Sequence, residues 1–143
     1  MSAVKKQALI EAPVETIWEL VGNPTRHSEW WPKVIEVWGE RFQEGDEYAQ
    51  VTRGPMGTAQ TNFLVERREE LREIGLRCQK TGMFARWLLT SAQANTFVEV
   101  EFGVDPETFG DRVFDLVAGR IYFRRWLEQS VEGLKQAADR GVV

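Results

Sequence analysis

The last long segment of the chain, residues 111–138, constrains the fold more than any other stretch. Its apolar residues recur at intervals of three and four, which is typical of one side of a helix with 3.6 residues per turn. The stripe consists of Val113, Leu116, Val117, Phe123, Leu127, Val131, Leu134 and Ala138. At ~1.5 Å per residue such a helix extends on the order of 40 Å, so its apolar side needs a large apolar partner. The sequence therefore predicts one long amphipathic helix that crosses the rest of the domain.

Two arginines, Arg120 and Arg124, project within the angular range of this stripe. An isolated buried charge is costly, so each guanidinium must pair with a carboxylate, reach water or face a cavity. In a cavity, their planar donors would suit an acidic or carbonyl-bearing ligand. The alternative is that both side chains extend to solvent or pair with carboxylates of the sheet. Tyr122 and Trp126 are predicted on the opposite side of the helix, which faces water. A second subunit could cover these two aromatic side chains, so a homodimer through Tyr122 and Trp126 is one prediction.

Length, charge and cysteine content limit the class of protein. A chain of 143 residues with 43% hydrophobic content is expected to form a single domain over residues 1–143. Lys and Arg number 18 against 22 Asp and Glu, a net charge of −4, so nucleic acid is not an expected partner. No apolar run approaches the ~20 residues that span a bilayer, and no signal-peptide core is present at residues 1–11, so no transmembrane segment is expected. With a single cysteine, Cys78, the composition favours a cytoplasmic protein.

The remainder of the chain is read as one strand, two short helices and then six strands. The first strand is predicted at residues 4–12, a helix follows Pro13 and closes at Gly22, and a second short helix or turn covers residues 24–30. The next six strands are predicted at residues 34–42, 47–53, 58–67, 71–79, 83–94 and 96–104. Their short connections imply antiparallel neighbours, because parallel neighbours need crossovers of about a dozen residues or more.

Alternation along these strands predicts that one face of the sheet is apolar. In the last strand Val98, Val100 and Phe102 share a face, while Glu99 and Glu101 take the other. The same test places further residues on the apolar face: Ala59, Thr61, Phe63, Val65, Ile74, Leu76, Cys78, Met83, Ala85, Trp87, Leu89, Thr96 and Val104. A sheet with one apolar face and a helix with one apolar stripe are expected to pack as a two-layer α+β domain.

Two local motifs resemble a known family over essentially the whole chain. The run from Ile10 to Trp18, IEAPVETIW, and the later Trp-Trp-Pro at residues 30–32 resemble the opening of the START/Bet v 1-like (SRPBCC) superfamily. The ending WLEQSVEGLK, residues 126–135, resembles its polyketide cyclase/dehydrase-like branch. The resemblance implies a helix-grip fold, in which a curved seven-stranded antiparallel sheet wraps around the C-terminal helix and encloses a cavity for apolar molecules. Because the matching residues are framework positions, they indicate the fold more specifically than the chemistry.

Three functions are compatible with this interpretation. The first is binding of a small hydrophobic or amphipathic ligand (lipid, polyketide or quinone-like) in the internal cavity. The second is a cyclase or aromatase acting on a poly-carbonyl substrate there, with Arg or Tyr groups stabilising enolate charge, so enzymatic activity stays open. The third is a partner-binding protein that uses Tyr122 and Trp126 externally. The predicted ligand-binding residues are Thr61, Phe63, Leu76, Trp87, Leu89, Val98, Val100, Val117, Arg120 and Arg124, with Ser91 and Thr96 as additional polar groups.

The usual catalytic and metal-binding residues supply no further site. His27 is the only histidine, and its polar surroundings at residues 24–29 indicate a surface or capping residue. One His and one Cys make neither a zinc tetrahedron nor a Cys-His nucleophile pair persuasive, so no metal and no cofactor are expected. Cys78 is interpreted as a packed, inert thiol.

Overall fold

The chain forms an antiparallel sheet that packs against a C-terminal helix. In the computed structural model, residues 2–54, 57–104 and 116–141 are described. The strands are β1 (Ser2–Ile10), β2 (Val34–Trp38), β3 (Glu47–Gly54), β4 (Gly57–Glu69), β5 (Glu73–Cys78), β6 (Met83–Ala92) and β7 (Asn95–Val104). The helices are α1 (Val14–Val21), α2 (His27–Trp30), which follows a 3-10 turn at Pro24–Arg26, and α3 (Leu116–Gly141).

The seven strands form one sheet in the order β1-β7-β6-β5-β4-β3-β2, and every neighbouring pair is antiparallel. The sheet is open and curved, and the two short helices connect β1 to β2. These features confirm the predicted helix-grip fold of class α+β. Of the described helices, none has both the length and the apolar character that crossing a bilayer requires.

Local sequence explains where the short elements begin and end. Pro13 precedes α1, and the backbone N–H of Gly22 closes this helix by donating to the carbonyl of Trp18 at 2.7 Å. Asn23 caps the following 3-10 turn, because its Oδ1 accepts from the backbone N–H of Thr25 at 3.3 Å. The predicted strand at residues 34–42 ends earlier, at Trp38, because Phe42 in the following loop folds back onto Tyr48.

The sheet has one buried face, here called the inner face, which is directed toward α3. The predicted alternation is confirmed on β5, β6 and β7, where the inward side chains from Ile74 to Phe102 are buried. On α3 the described buried residues are Trp126, Leu127, Ser130, Val131, Leu134, Ala137 and Ala138. The predicted helix start at residue 111, together with Val113, lies outside the described residues.

α2 and α3 pack against each other with no intervening side chain at one point. A β-carbon on Gly133 of α3 would lie 2.2 Å from the carbonyl oxygen of Trp30, well inside any normal contact. Glycine at this position therefore allows α3 to lie directly on the α2 backbone.

Candidate functional site

The structure brings most of the predicted ligand-binding residues together on the inner face. Thr61 and Phe63 lie on β4, Leu76 on β5, Trp87 and Leu89 on β6, and Val98 and Val100 on β7. Strand pairing places them side by side: Trp87 is opposite Val100, and Leu89 is opposite Val98. All of them are buried except Thr61, which is half-buried.

The three predicted residues of α3 are placed differently. Arg120 and Arg124 are exposed, which agrees with the alternative in which both guanidiniums extend to solvent. Within the described residues the continuous buried stripe of α3 begins at Trp126, so the angular position of the two arginines does not bury them. Val117 lies in the first turn of α3, where only the backbone is described.

An aromatic cluster, defined as Trp30, Trp31, Trp87, Phe102 and Trp126, occupies the space between the centre of the sheet and α3. Trp31 stacks on Phe102 with ring centroids 5.6 Å apart, and Trp87 meets Trp31 edge to face at 5.6 Å. Phe102 lies 5.0 Å from Trp126. The cluster therefore fills this central region with protein side chains.

Trp126 corrects one prediction. It was expected on the water-facing side of the long helix, but it is only 4% exposed, and its indole N–H donates to the carbonyl of Pro32 at 2.6 Å. The reason is that α3 is covered both by the sheet and by the segment after α2, so its buried arc is wider than the apolar stripe. The expected exposure of Trp126 is therefore wrong, whereas Tyr122 is half-buried with the Lys33 ammonium 5.3 Å above its ring. The homodimer itself stays a prediction.

Of the two alternatives predicted for His27, the surface position is wrong because the residue is fully buried, whereas its side chain does cap the carbonyl of Val21, the last residue of α1. Its Nε2 lies 2.8 Å from the carbonyl oxygen of Val21, which can only accept, so Nε2 carries the proton. The ring lies edge-on to Trp30 and Trp31. Burial lowers the pKa of His27 to about 4, although the hydrogen bond to Val21 opposes this shift. The imidazole is thus a neutral part of the core at neutral pH.

A second group of inner-face residues, the β3–β5 cluster, consists of Tyr48, Gln50, Thr61, Phe63 and Cys78. Strand register creates it: Tyr48 pairs with Phe63, Gln50 pairs with Thr61, and Phe63 pairs with Cys78. The rings of Tyr48 and Phe63 stack with centroids 5.7 Å apart, and the Phe42 ring meets Tyr48 edge to face at 5.5 Å. This cluster lies toward the β2 edge of the sheet, one to four strands from the β6 and β7 residues of the aromatic cluster.

The β3–β5 cluster contains buried polar atoms that the described residues leave without partners. The Tyr48 hydroxyl and the Gln50 Oε1 are buried and accept or donate no hydrogen bond within the described part of the chain, although Gln50 Nε2 donates to Thr52 Oγ1 at 2.9 Å. Leaving such an atom unsatisfied costs about 1–3 kcal/mol. The same holds for the indole N–H groups of Trp31 and Trp87. A ligand with hydrogen-bonding groups would remove part of this cost.

The ionisation of this cluster follows from its burial. The pKa of Tyr48 is raised, chiefly by burial and further by the charge that a Cys78 thiolate would carry, so the phenol keeps its proton. Burial also raises the pKa of Cys78, but hydrogen bonds from Thr81 and Thr61 outweigh this and leave that pKa below its ordinary value. At neutral pH Tyr48 is thus available as a neutral donor.

Arg68 closes the end of the inner face next to α1. Its guanidinium donates to the carbonyls of Gly22 and Phe42, at 2.7 and 3.2 Å, and to the Glu70 carboxylate at 2.6 Å. It also lies 5.1 Å above the Trp18 ring. Arg68 borders an open surface cleft of about 750 Å³, and a second open cleft of about 430 Å³ runs between α2 and α3.

Tyr48 and Gln50 belong to the candidate site, and the predicted ligand-binding residues did not include them. On β3 the apolar Ala49 and Val51 alternate with Tyr48 and Gln50, so hydrophobicity alone does not identify the face that is more buried. The pairing of Tyr48 with Phe63 is the signal that identifies the correct one. Across the described residues, no cluster of His, Cys, Asp and Glu side chains has the arrangement of a metal site.

Comparison with known proteins agrees with this architecture. A family model described as polyketide cyclase / dehydrase and lipid transport matches residues 1–139. No curated protein matches the chain in sequence. A START superfamily protein from Mycobacterium smegmatis is similar in structure, with a TM-score of 0.72, 18% identity and coverage of 96% of this chain and 97% of that one.

Two further solved structures share the fold. The Zhui aromatase/cyclase from Streptomyces sp. R1128 is 14% identical, with a TM-score of 0.71 and coverage of 99% of this chain and 95% of that one. A Polyketide_cyc-like protein from Corynebacterium glutamicum is 19% identical, with a TM-score of 0.67 and coverage of 93% and 89%. With the family model matching nearly the whole length, and the curved sheet closed by a C-terminal helix, the chain belongs to the polyketide cyclase/dehydrase and lipid transport family.

Proposed function

We propose that the protein binds a small hydrophobic or amphipathic molecule, such as a lipid, polyketide or quinone-like compound, between the inner face and α3. The observation that carries this proposal is the β3–β5 cluster, where buried polar atoms without partners stand among apolar and aromatic side chains. Ligand pockets combine a largely apolar lining with a few directed polar groups. The aromatic cluster occupies the centre of the domain, so the ligand is expected beside Phe63 and Thr61 rather than beneath Trp126.

The apolar lining would supply most of the affinity. Each square ångström of apolar surface removed from water contributes about 25 cal/mol. Phe63, Leu76 and the ring of Tyr48 offer such surface, and they sit on paired strands that hold their positions. The polar atoms of Tyr48 and Gln50 would then orient the ligand rather than provide the bulk of the binding energy.

Ligand capture and a site-filling variant test this proposal. Organic extraction of the purified protein followed by mass spectrometry is expected to release an apolar compound in near-stoichiometric amount, and the emptied protein is expected to bind an environment-sensitive apolar dye. Thr61→Phe adds a ring on the inner face beside Phe63, and dye affinity is expected to fall at least tenfold. The matched control is Thr90→Phe, on the exposed outer side of β6. Equal dye binding by both variants, or none by the wild type, would contradict the proposal.

A second candidate is cyclisation of a poly-carbonyl substrate in the same space. It is favoured by the Tyr48 hydroxyl, which burial keeps protonated and which can donate to an oxygen that becomes an enolate. Conversion of a supplied poly-β-ketone, analysed by chromatography and mass spectrometry, tests it. Loss of turnover in Tyr48→Phe with retained binding would support catalysis. Retained turnover in this variant, together with loss in Arg120→Ala or Arg124→Ala, would instead assign the step to the helix arginines.

A further inference from the structure

We infer that the buried end of the ligand is uncharged and carries a hydroxyl group, an alcohol or a phenol, that hydrogen-bonds to Tyr48 and Gln50. This inference rests on the proposed binding function and specifies the chemical class that the site selects. It follows from which donors and acceptors are left over on the inner face, and from where the charged side chains of the described residues lie.

The first argument concerns hydrogen-bond direction. Tyr48 and Gln50 are 3% and 2% exposed and occupy successive inward positions on β3, about 7 Å apart along the strand. The Tyr48 hydroxyl both donates and accepts, whereas the unpartnered Gln50 Oε1 is a carbonyl oxygen and only accepts. The amide nitrogen of Gln50 is already engaged, since Nε2 donates to Thr52 Oγ1. A ligand must therefore bring at least one donor to Gln50. A carboxylate or a ketone brings acceptors only, while a hydroxyl group brings both.

The second argument concerns charge. Among the described residues, the inner face carries two cationic side chains, Lys6 and Arg68. Lys6 lies on β1, at the opposite edge of the sheet from β3. The Arg68 guanidinium is already bound to Glu70 and to the carbonyls of Gly22 and Phe42. A carboxylate buried beside Tyr48 would thus find no uncommitted cation among the described inner-face residues, and an isolated buried charge is strongly disfavoured.

A donor in the form of an ammonium group is disfavoured by the same reasoning. The buried carboxylate of the described sheet, Glu73, forms ion pairs with Arg86 and Arg67 and pairs in register with Leu88 rather than with an inward residue. No described carboxylate faces the β3–β5 cluster. Within the ligand class proposed above, lipids, polyketides and quinone-like compounds, a neutral hydroxyl group is the donor that satisfies Gln50 without bringing an uncompensated charge.

Three probes with one apolar body and different polar ends test the inference. Isothermal titration calorimetry at pH 7 would compare biphenyl-4-ol, 4-acetylbiphenyl and biphenyl-4-carboxylate. The phenol is expected to bind at least tenfold more tightly than either the ketone or the carboxylate. Tyr48→Phe and Gln50→Met, which keep side-chain size, are each expected to weaken phenol binding by roughly five- to tenfold. Gln50→Met removes an acceptor that the ketone and the carboxylate cannot use, so it is expected to leave their binding within twofold. Tyr122→Phe removes the other tyrosine hydroxyl of the chain and is expected to change nothing.

Each alternative result has a distinct meaning. Carboxylate binding as tight as phenol binding, or phenol binding that neither Tyr48→Phe nor Gln50→Met weakens, would overturn the hydroxyl inference while leaving ligand binding intact. Failure of all three probes and of the apolar dye would overturn the proposed function, and the inference with it. Thermal melting of the variants separates folding from recognition, because removing an unsatisfied buried hydroxyl is expected to leave the melting temperature unchanged or raised.

Discussion

Gly133→Ala is expected to destabilise the protein although it adds only one methyl group to a helix. The new β-carbon would lie 2.2 Å from the Trp30 carbonyl oxygen and 3.4 Å from Pro32 Cδ. The oxygen belongs to the backbone of α2, so α2 and α3 must separate by roughly 1 Å. Overpacking of this kind costs about 3 kcal/mol at the upper end of its usual range. Alanine recovers about 1 kcal/mol of helix propensity, which leaves a net loss of about 2 kcal/mol.

Urea and thermal unfolding, followed by far-ultraviolet circular dichroism and tryptophan fluorescence, measure this loss. The melting temperature is expected to fall by roughly 6–8 °C. Gly75→Ala is the matched control, because a β-carbon there would meet Arg67 Cβ at an ordinary 3.6 Å; its free energy of unfolding is expected to stay within about 0.5 kcal/mol of the wild type. A Gly133→Ala protein as stable as the wild type would refute the direct backbone contact between α2 and α3.

Three further predictions concern the residues that hold the helices to the sheet. The pKa of His27 is about 4 in the folded protein and near 6.5 in the unfolded chain, so the unfolded chain takes up the proton first as the pH falls. The free energy of unfolding should therefore be highest above pH 6.5 and fall by about 3 kcal/mol toward pH 4. A His27→Gln protein with the same pH-dependent loss would show that another group causes it. Trp126→Phe leaves the Pro32 carbonyl without its donor and should lower the free energy of unfolding in urea by about 1–2 kcal/mol. The sedimentation coefficient should not change. A variant that sediments as a smaller species than the wild type would support a dimer contact through Trp126. Arg68→Met should lower the free energy of unfolding by about 2–3 kcal/mol because two backbone carbonyls lose their donor. Arg72→Met is the control, since Arg72 is exposed, and it should lower this free energy by under about 0.5 kcal/mol. Similar losses of stability in the two variants would argue against the role of Arg68.

The sheet was predictable from the sequence because its rules are local. A period of two residues and tight turns are enough to define antiparallel strands with one buried face, and the strands of Ile74, Trp87 and Val98 follow this pattern directly. Differences lie at strand ends and on β3, where the polar Gln50 and Tyr48 are more buried than the apolar Ala49 and Val51. β2 ends at Trp38 rather than at residue 42, since Phe42 gains more by packing on Tyr48 than by extending an edge strand.

The helix residues were harder to place, because periodicity gives the direction of a side chain around the helix axis but does not show which other element, if any, covers it. Arg120 lies at an angle similar to Leu127, yet it is exposed, since the continuous buried stripe of α3 starts only at Trp126. Trp126 lies outside the apolar stripe and is buried, because α2 and the Pro32 carbonyl cover that side. His27 sits in a polar run of sequence and is buried for the same reason, as it turns toward Trp30 and Trp31. Such placements depend on contacts between elements distant in sequence.

Unsatisfied buried polar atoms occur in two regions of the described interior, the aromatic cluster with the adjoining His27 and the proposed ligand site on β3. Other buried donors are used: Trp30 donates to the Leu20 carbonyl, and Thr96 donates to the Ala12 carbonyl. On β3, Tyr48 and Gln50 keep unused polar atoms in a similarly buried setting. Replacing each by an apolar residue of similar size would avoid a cost of about 1–3 kcal/mol. Residues that reduce stability in this way are expected where binding requires them, because a ligand that meets Tyr48 and Gln50 recovers in affinity what the empty protein loses in stability.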